Sequence, residues 1–249
     1  MKCIDINCDL GEGKSLIYCE HDAKIMPYIS SCNIACGGHA GDESIIKQSL
    51  LNAKLNGLKI GAHPGYEDKA NFGRVSLDIS VEEVVTSIQK QLDFFIKISS
   101  RLNISIHHIK FHGALYNDLE KQPQLASKLA ELIKYNYLSL KIYGLANGIF
   151  EKQCIALGID FIAEGFMDRT YLSSGHLTPR TEENAVLTEQ AQSIAQAISL
   201  ASNQEIKTSD GKVITPQVKT ICLHGDNPEA ITIAKALHFK LTSAGFLIQ

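Results

Sequence analysis

The chain has 249 residues, 45% of them hydrophobic, and a formal net charge of −3. That length matches one α/β barrel and supplies one sizeable core, so a single domain over residues 1–249 is expected. A pI near 6.3 argues against a general nucleic-acid binder, and the lack of an 18-residue apolar run predicts no membrane span.

The first residues, MKCIDINCDL, lack the apolar core and cleavage site of a signal peptide. There are seven cysteines and no Cys-x-x-Cys pair, which predicts reduced thiols in a cytosolic protein. Residues 2–7 read as a strand, followed by a Gly-rich turn carrying Asp9 and Glu12 and a helix near 21–29. A second short strand, 32–35, runs into NIACGGHAGD, where an apolar stretch breaks into glycines and presents His39. Asp42 is then placed as the N-cap of a helix in which Ile45, Ile46, Leu50, Ala53 and Leu55 lie near 3.6-residue spacing, with Gly57 as its stop. Residues 58–62 form a strand that delivers His63 to a Pro64-Gly65 turn. Ser80 and Glu83 form a capping-box signature before an amphipathic stripe of Val81, Val84, Val85, Ile88, Leu92, Phe95 and Ile96.

The rhythm continues with a strand at 106–111, a helix at 122–136, a strand at 139–144 and a helix near 147–157. A strand at 160–164 and a helix near 187–201 follow, then a hairpin at 205–215 that turns at Asp210-Gly211. Residues 220–224 are the last clear strand, and Asn227-Pro228 opens a helix. About seven strand–helix units imply a parallel α/β architecture, either a barrel or an open doubly wound sheet. The polar residues favour the barrel. Asn7 and Asp9, His39 and Asp42, His63, His112, Glu164 and Asp168, and His224 and Asp226 all follow strand ends. Only a barrel brings all of these together on one face.

A single histidine beside a glycine usually means packing. Four at equivalent strand ends (His39, His63, His112 and His224) point to a site, with glycines that let backbone approach a ligand. Other residues have plainer readings. Asp9 can cap its loop through an Asx-turn, Asp226 can orient His224, and Cys32 and Cys36, spaced as a weak zinc hint, default to buried thiols. No G-x-x-x-x-G-K-[ST] run is present, so ATP, if used, is expected to be handled by a partner or bound in another mode.

Six motifs, INCDLGEG, CNIACGGHAGD, IGAHPGYEDKANFGR, KFHGALYN, MDRTYLSSGHLTPR and CLHGDNP, occur in an order that resembles the LamB/YcsF-like proteins, the A subunits of bacterial 5-oxoprolinase. The resemblance runs from the first strand to the last. It implies a distorted seven-stranded parallel β/α barrel, TIM-like and related to carbohydrate deacetylases. It also implies an enzyme that acts with two companion subunits, B and C, to open 5-oxo-L-proline to L-glutamate with ATP as co-substrate. Gly38 stands where the family commonly has Phe, which would widen the pocket. Lys14-Ser15, Phe111 and Val75 also depart from the usual pattern.

Lactam hydrolysis needs a water, a base, an electrophile for the carbonyl oxygen and an acid for the nitrogen. Asp9, Glu12, Lys110 and His112 are the expected catalytic residues. His39, His63, Arg74, Asp168, Arg169, His224 and Asp226 are expected to bind substrate, an arginine (Arg74, Arg169 or Arg180) holding its carboxylate. A metal-free site is expected, with Asp9, His39 and His63 as the ligand set if a divalent ion is bound, as the deacetylase relatives imply. The alternatives are a metal-dependent deacetylase-like hydrolase and a non-catalytic subunit that binds a small acid.

Overall fold

The computed structural model describes residues 2–225 and 227–249. In chain order the strands are β1 (Lys2–Leu10), β2 (Ser31–Ala35), β3 (Lys59–His63), β4 (His108–Lys110), β5 (Lys141–Leu145) and β6 (Phe161–Phe166). A small antiparallel hairpin, β7 (Ile206–Lys207) and β8 (Val213–Ile214), precedes β9 (Thr220–His224) and β10 (Phe246–Ile248). β1 to β6 and β9 pair in parallel, and β1 pairs back onto β9 to close a seven-stranded barrel, while β10 adds in parallel to the first residues of β1. This is the TIM-like α/β barrel that the alternation and the polar strand ends predict.

Strand β1 shows why the barrel closes. Ile4, Ile6, Cys8 and Leu10 belong to the apolar core, whereas Asp5, Asn7 and Asp9 point inward at period two. The interior is therefore polar and must satisfy itself. Asn7 Nδ2 donates to Glu164 Oε1 and to Thr220 Oγ1, both at 2.8 Å. His108 stacks on Tyr143 with 3.8 Å between ring centroids and donates through Nε2 to Asn33 Oδ1 at 2.7 Å. Gly61 makes that ring possible, because a Cβ there would collide with His108 Nε2.

The helices are α1 (Leu16–Ala23), α2 (Glu43–Leu55), α3 (Val81–Arg101), α4 (Gly113–Asp118), α5 (Pro123–Asn136), α6 (Ile149–Ala156), α7 (Gln190–Ala201) and α8 (Ala230–Ser243). Asp42 caps α2 by accepting from the Ser44 and Ile45 amides, both at 2.9 Å, and Ser80 with Glu83 forms the expected capping box on α3. The α2 stripe buries Ile45, Ile46, Leu50 and Ala53, but Leu55 at its end is 87% exposed. The helix expected near 21–29 instead starts at Leu16 and is followed by a one-turn 3₁₀ segment, Met26–Tyr28, where Pro27 has no amide hydrogen to continue an α-helix. α4 and β10 carry no periodic signal, being six and three residues long. Among the described residues no helix is long and apolar enough to cross a membrane.

Candidate active site

The C-terminal ends of the barrel strands open into a cavity of about 240 Å³, lined among others by Asp9, Glu12, His63, His112, Arg74 and His224. Its floor is built around Lys110. This lysine is 2% exposed, and its Nζ lies 3.0 Å from Asp9 Oδ1, 2.9 Å from Glu164 Oε1, 3.0 Å from Asn7 Oδ1 and 3.0 Å from Cys222 Sγ. Burial alone would lower its pKa, but Asp9, Cys222 and Glu164 raise it well above the ordinary value, so it is a cation. Asn33 Nδ2 donates to the same Asp9 oxygen at 2.8 Å. Asp9 Oδ1 is thus fixed from below, and Oδ2 faces His63 Nε2 at 3.4 Å. Burial would raise the Asp9 carboxyl, yet His63 and Lys110 hold it well below the usual carboxylate range. The tie to Lys110 makes Asp9 more than a local loop cap.

Above this floor, side chains that follow β1 to β4 gather. Glu12 Oε1 is 3.0 Å from His39 Nε2, 3.2 Å from His112 Nδ1 and 3.8 Å from His63 Nε2. His112 Nδ1 is also 3.0 Å from His63 Nε2. The His39 and His112 rings stack with centroids 3.6 Å apart. Burial would raise Glu12, but its close contacts with His112 and His39 hold it well below the ordinary range, so it is a carboxylate. Burial pushes His39 down to about 4 against the pull of Glu12, so this imidazole is neutral near pH 7. The stretch NIACGGHAGD therefore ends β2, lays His39 against this cluster and starts α2 at Asp42.

The loop after β3 covers the cluster. Phe72 accepts from His112 Nε2 at 2.8 Å through its carbonyl and packs edge-on against both His39 and His112. Gly73 follows with φ 62°, and a Cβ there would lie 2.8 Å from His39 Cβ and 3.0 Å from His112 Cδ2. Gly73→Ala is therefore expected to cost about 1–3 kcal/mol, the penalty of a left-handed non-glycine residue, measured by urea denaturation. A cost below about 0.5 kcal/mol would show that the loop does not press on the histidines.

At the end of β9, His224 Nδ1 pairs with Asp168 Oδ2 at 2.8 Å, and its Nε2 lies 3.4 Å from Arg180 Nη2. Burial lowers the His224 pKa, but Asp168 outweighs it and the net shift is upward. The described orienting partner of His224 is thus Asp168; Asp226, expected to bind substrate or to orient this ring, lies outside the described residues. Arg169 borders the cavity but spends Nε on the Ala185 carbonyl and Nη2 on the Thr178 carbonyl, shaping the loop after β6. Arg74 reaches the cavity edge across the Phe72 ring.

Several expectations change on this geometry. Gly38 does not widen the cavity, because a Cβ there would collide with Gln91 Oε1, and Gln91 is tied to Gly65 by hydrogen bonds of 2.8 and 3.1 Å. Phe111 is buried edge-on against Phe150. Asp9, His39 and His63 do not form one ligand group; Glu12 and His112 join His39 and His63, while Asp9 groups with Cys222 and His224. Cys32 and Cys36 are buried thiols raised by desolvation and join neither group among the described residues. Asn33 and Gln91 give little sign of their roles in the sequence because neither side chain carries charge; period-two alternation along β2 is the available signal for Asn33.

The LamB/YcsF family model matches residues 4–249. The 5-oxoprolinase A subunit of Bacillus cereus (strain B4264) is 39% identical over 242 residues, covering 96% of this chain and 94% of that protein. The 5-oxoprolinase A subunit of Bordetella pertussis is 35% identical over 246 residues, covering 99% and 98%. The crystal structure of the lactam utilization protein from Thermus thermophilus superposes with a TM-score of 0.91 at 30% identity, covering 99% of both chains. With matches running from the first barrel strand to the last residue, the chain belongs to the LamB/YcsF family.

Proposed function

We propose that this chain is the A subunit of an ATP-dependent 5-oxoprolinase and opens 5-oxo-L-proline to L-glutamate together with B and C companion subunits. The observation that carries the reading is the cavity at the strand ends, which gathers Asp9, Glu12, His63, His112 and His224 together with Arg74 and Arg180. Relatives of near-equal length are named as the A subunits of 5-oxoprolinase, and the Thermus relative is named for lactam utilization.

Ring opening adds water to the lactam carbonyl carbon, breaks the C–N bond and returns a proton to the nitrogen. Asp9 Oδ2 is the oxygen left to orient the water and accept its proton, because Oδ1 is held by Lys110 and Asn33. Lys110 acts through Asp9 as a positioning residue. His112 lies beside that point, and the His224–Asp168 pair, with its raised imidazole pKa, faces it as a proton source for the nitrogen. Arg74 and Arg180 at the rim suit the substrate carboxylate, a bidentate partner for guanidinium.

Partner dependence follows, because no glycine-rich phosphate loop is present. The pure chain is expected to show no 5-oxoproline-dependent ATP hydrolysis. ATP turnover coupled to glutamate release should appear when the two companions are added. Substrate-dependent ATPase from the single chain would overturn the partner requirement, and failure of the complete mixture to release glutamate would overturn the reading itself.

A further inference from the structure

We propose that Glu12, His39, His63 and His112 form a site for one divalent transition-metal ion, which deepens the ring-opening reading of the same cavity. The argument is a count of hydrogens. His63 Nδ1 lies 2.7 Å from the Lys110 carbonyl oxygen, which can only accept, so Nδ1 carries the hydrogen and Nε2 presents a lone pair. His112 Nε2 lies 2.8 Å from the Phe72 carbonyl oxygen, so by the same logic Nδ1 presents a lone pair. These two lone pairs face each other at 3.0 Å, and the Glu12 carboxylate oxygen lies 3.2 Å from one and 3.8 Å from the other. In the neutral state no hydrogen sits between them. Such a cluster of acceptors calls for a positive occupant.

The spacing fits a metal. A tetrahedral ion with ligands at about 2.0–2.1 Å places them about 3.3–3.4 Å apart. The separations of 3.0, 3.0, 3.2 and 3.8 Å bracket that edge, and the four candidate ligand atoms lie within 4.8 Å of one another. Carbonyl oxygens hold the second nitrogens of His63 and His112, the arrangement that fixes ring tautomer in metal-ligating histidines. His39 Nδ1 is buried with no hydrogen-bond partner among the described residues, and its Nε2 is aimed at the cluster. Three imidazoles and one carboxylate suit Zn²⁺ or a neighbouring first-row ion better than Mg²⁺ or Ca²⁺. When bound, such an ion polarises a carbonyl oxygen and acidifies water. This departs from the expected metal-free centre and replaces Asp9 in the ligand set by Glu12 and His112.

The competing occupant is a proton on His112, shared with His63 and Glu12. The full chain, stripped with a chelator and dialysed, is titrated with Zn²⁺ alone and with Co²⁺ alone by calorimetry. One equivalent of each is expected to bind, Co²⁺ with the intense visible absorption of a four- or five-coordinate site, and Zn²⁺ should raise the melting temperature. Glu12→Gln and His112→Gln should each weaken Zn²⁺ binding by at least about tenfold, while His176→Gln, at another part of the cavity, leaves it unchanged. Circular dichroism identifies variants that fail to fold, and for those the wild-type melting shift carries the test. Absence of stoichiometric binding of both ions, or binding undiminished in folded Glu12→Gln and His112→Gln, overturns the site and leaves a proton as the occupant. The two readings separate cleanly. Glutamate release by a stripped assembly that binds neither ion would remove the metal and keep ring opening; stoichiometric metal with no release by the complete assembly would do the reverse.

Discussion

Lys110→Met is expected to destabilise the chain by about 3–5 kcal/mol, the scale of removing one partner from a buried ion pair. Lys110 sits among groups that need its charge. Glu164 is fully buried and accepts from Asn7, Tyr116 and Lys110 at 2.8, 2.9 and 2.9 Å; without the ammonium, two neutral donors remain for a full negative charge. Asp9 also loses its hold on Oδ1. Methionine matches the lysine stem in length, so the loss comes from charge more than from packing. The double variant Lys110→Met/Glu164→Gln should recover part of the stability, because it removes the uncompensated carboxylate. Urea denaturation at neutral pH measures both. A cost under about 1 kcal/mol for the single variant, or a double variant no better than the single, would show that the interior does not depend on this cation.

Asp9→Asn in the assembled enzyme is expected to lower turnover per folded molecule by about 10²–10⁴-fold, the contribution of a positioned base. The variant also loses part of the Lys110 pairing, so its melting temperature should fall as well. Glu164→Gln supplies the control. It removes the other carboxylate on Lys110, but Glu164 is absent from the cavity lining. Its turnover per folded molecule should fall less than about tenfold. Equal losses in the two variants would reduce Asp9 to a counter-ion for Lys110. Because His63 and Lys110 hold Asp9 well below the usual carboxylate range, it stays ionised across neutral pH and should add no acid limb to the rate profile there.

Much of the architecture was legible because local physics writes it. The α3 stripe and its Ser80–Glu83 box lie within consecutive residues, as does Asp42 capping α2. The barrel itself followed from six strands that run out into polar residues. The four histidines at strand ends were visible for the same reason, since a strand end is a local feature. Short elements such as α4 and β10 were not, because they are stabilised by neighbours distant in sequence and leave no period to read.

The alternation of strands and helices, the strand ends that carry imidazoles and carboxylates, and the six family motifs are all written in the linear chain. Which of those groups meet depends on how the barrel closes. Lys110 reaches Asp9 across 101 residues, and His224 takes Asp168 as its partner across 56. Glu12 enters the histidine cluster while Asp9, three residues earlier, turns to the lysine below it. Closure of β1 on β9 sets those pairings, because it fixes the register and the inward tilt of every strand end at once. Linear spacing carries no record of that closure, and side-chain charge balance inside a low-dielectric barrel is settled only after it has formed.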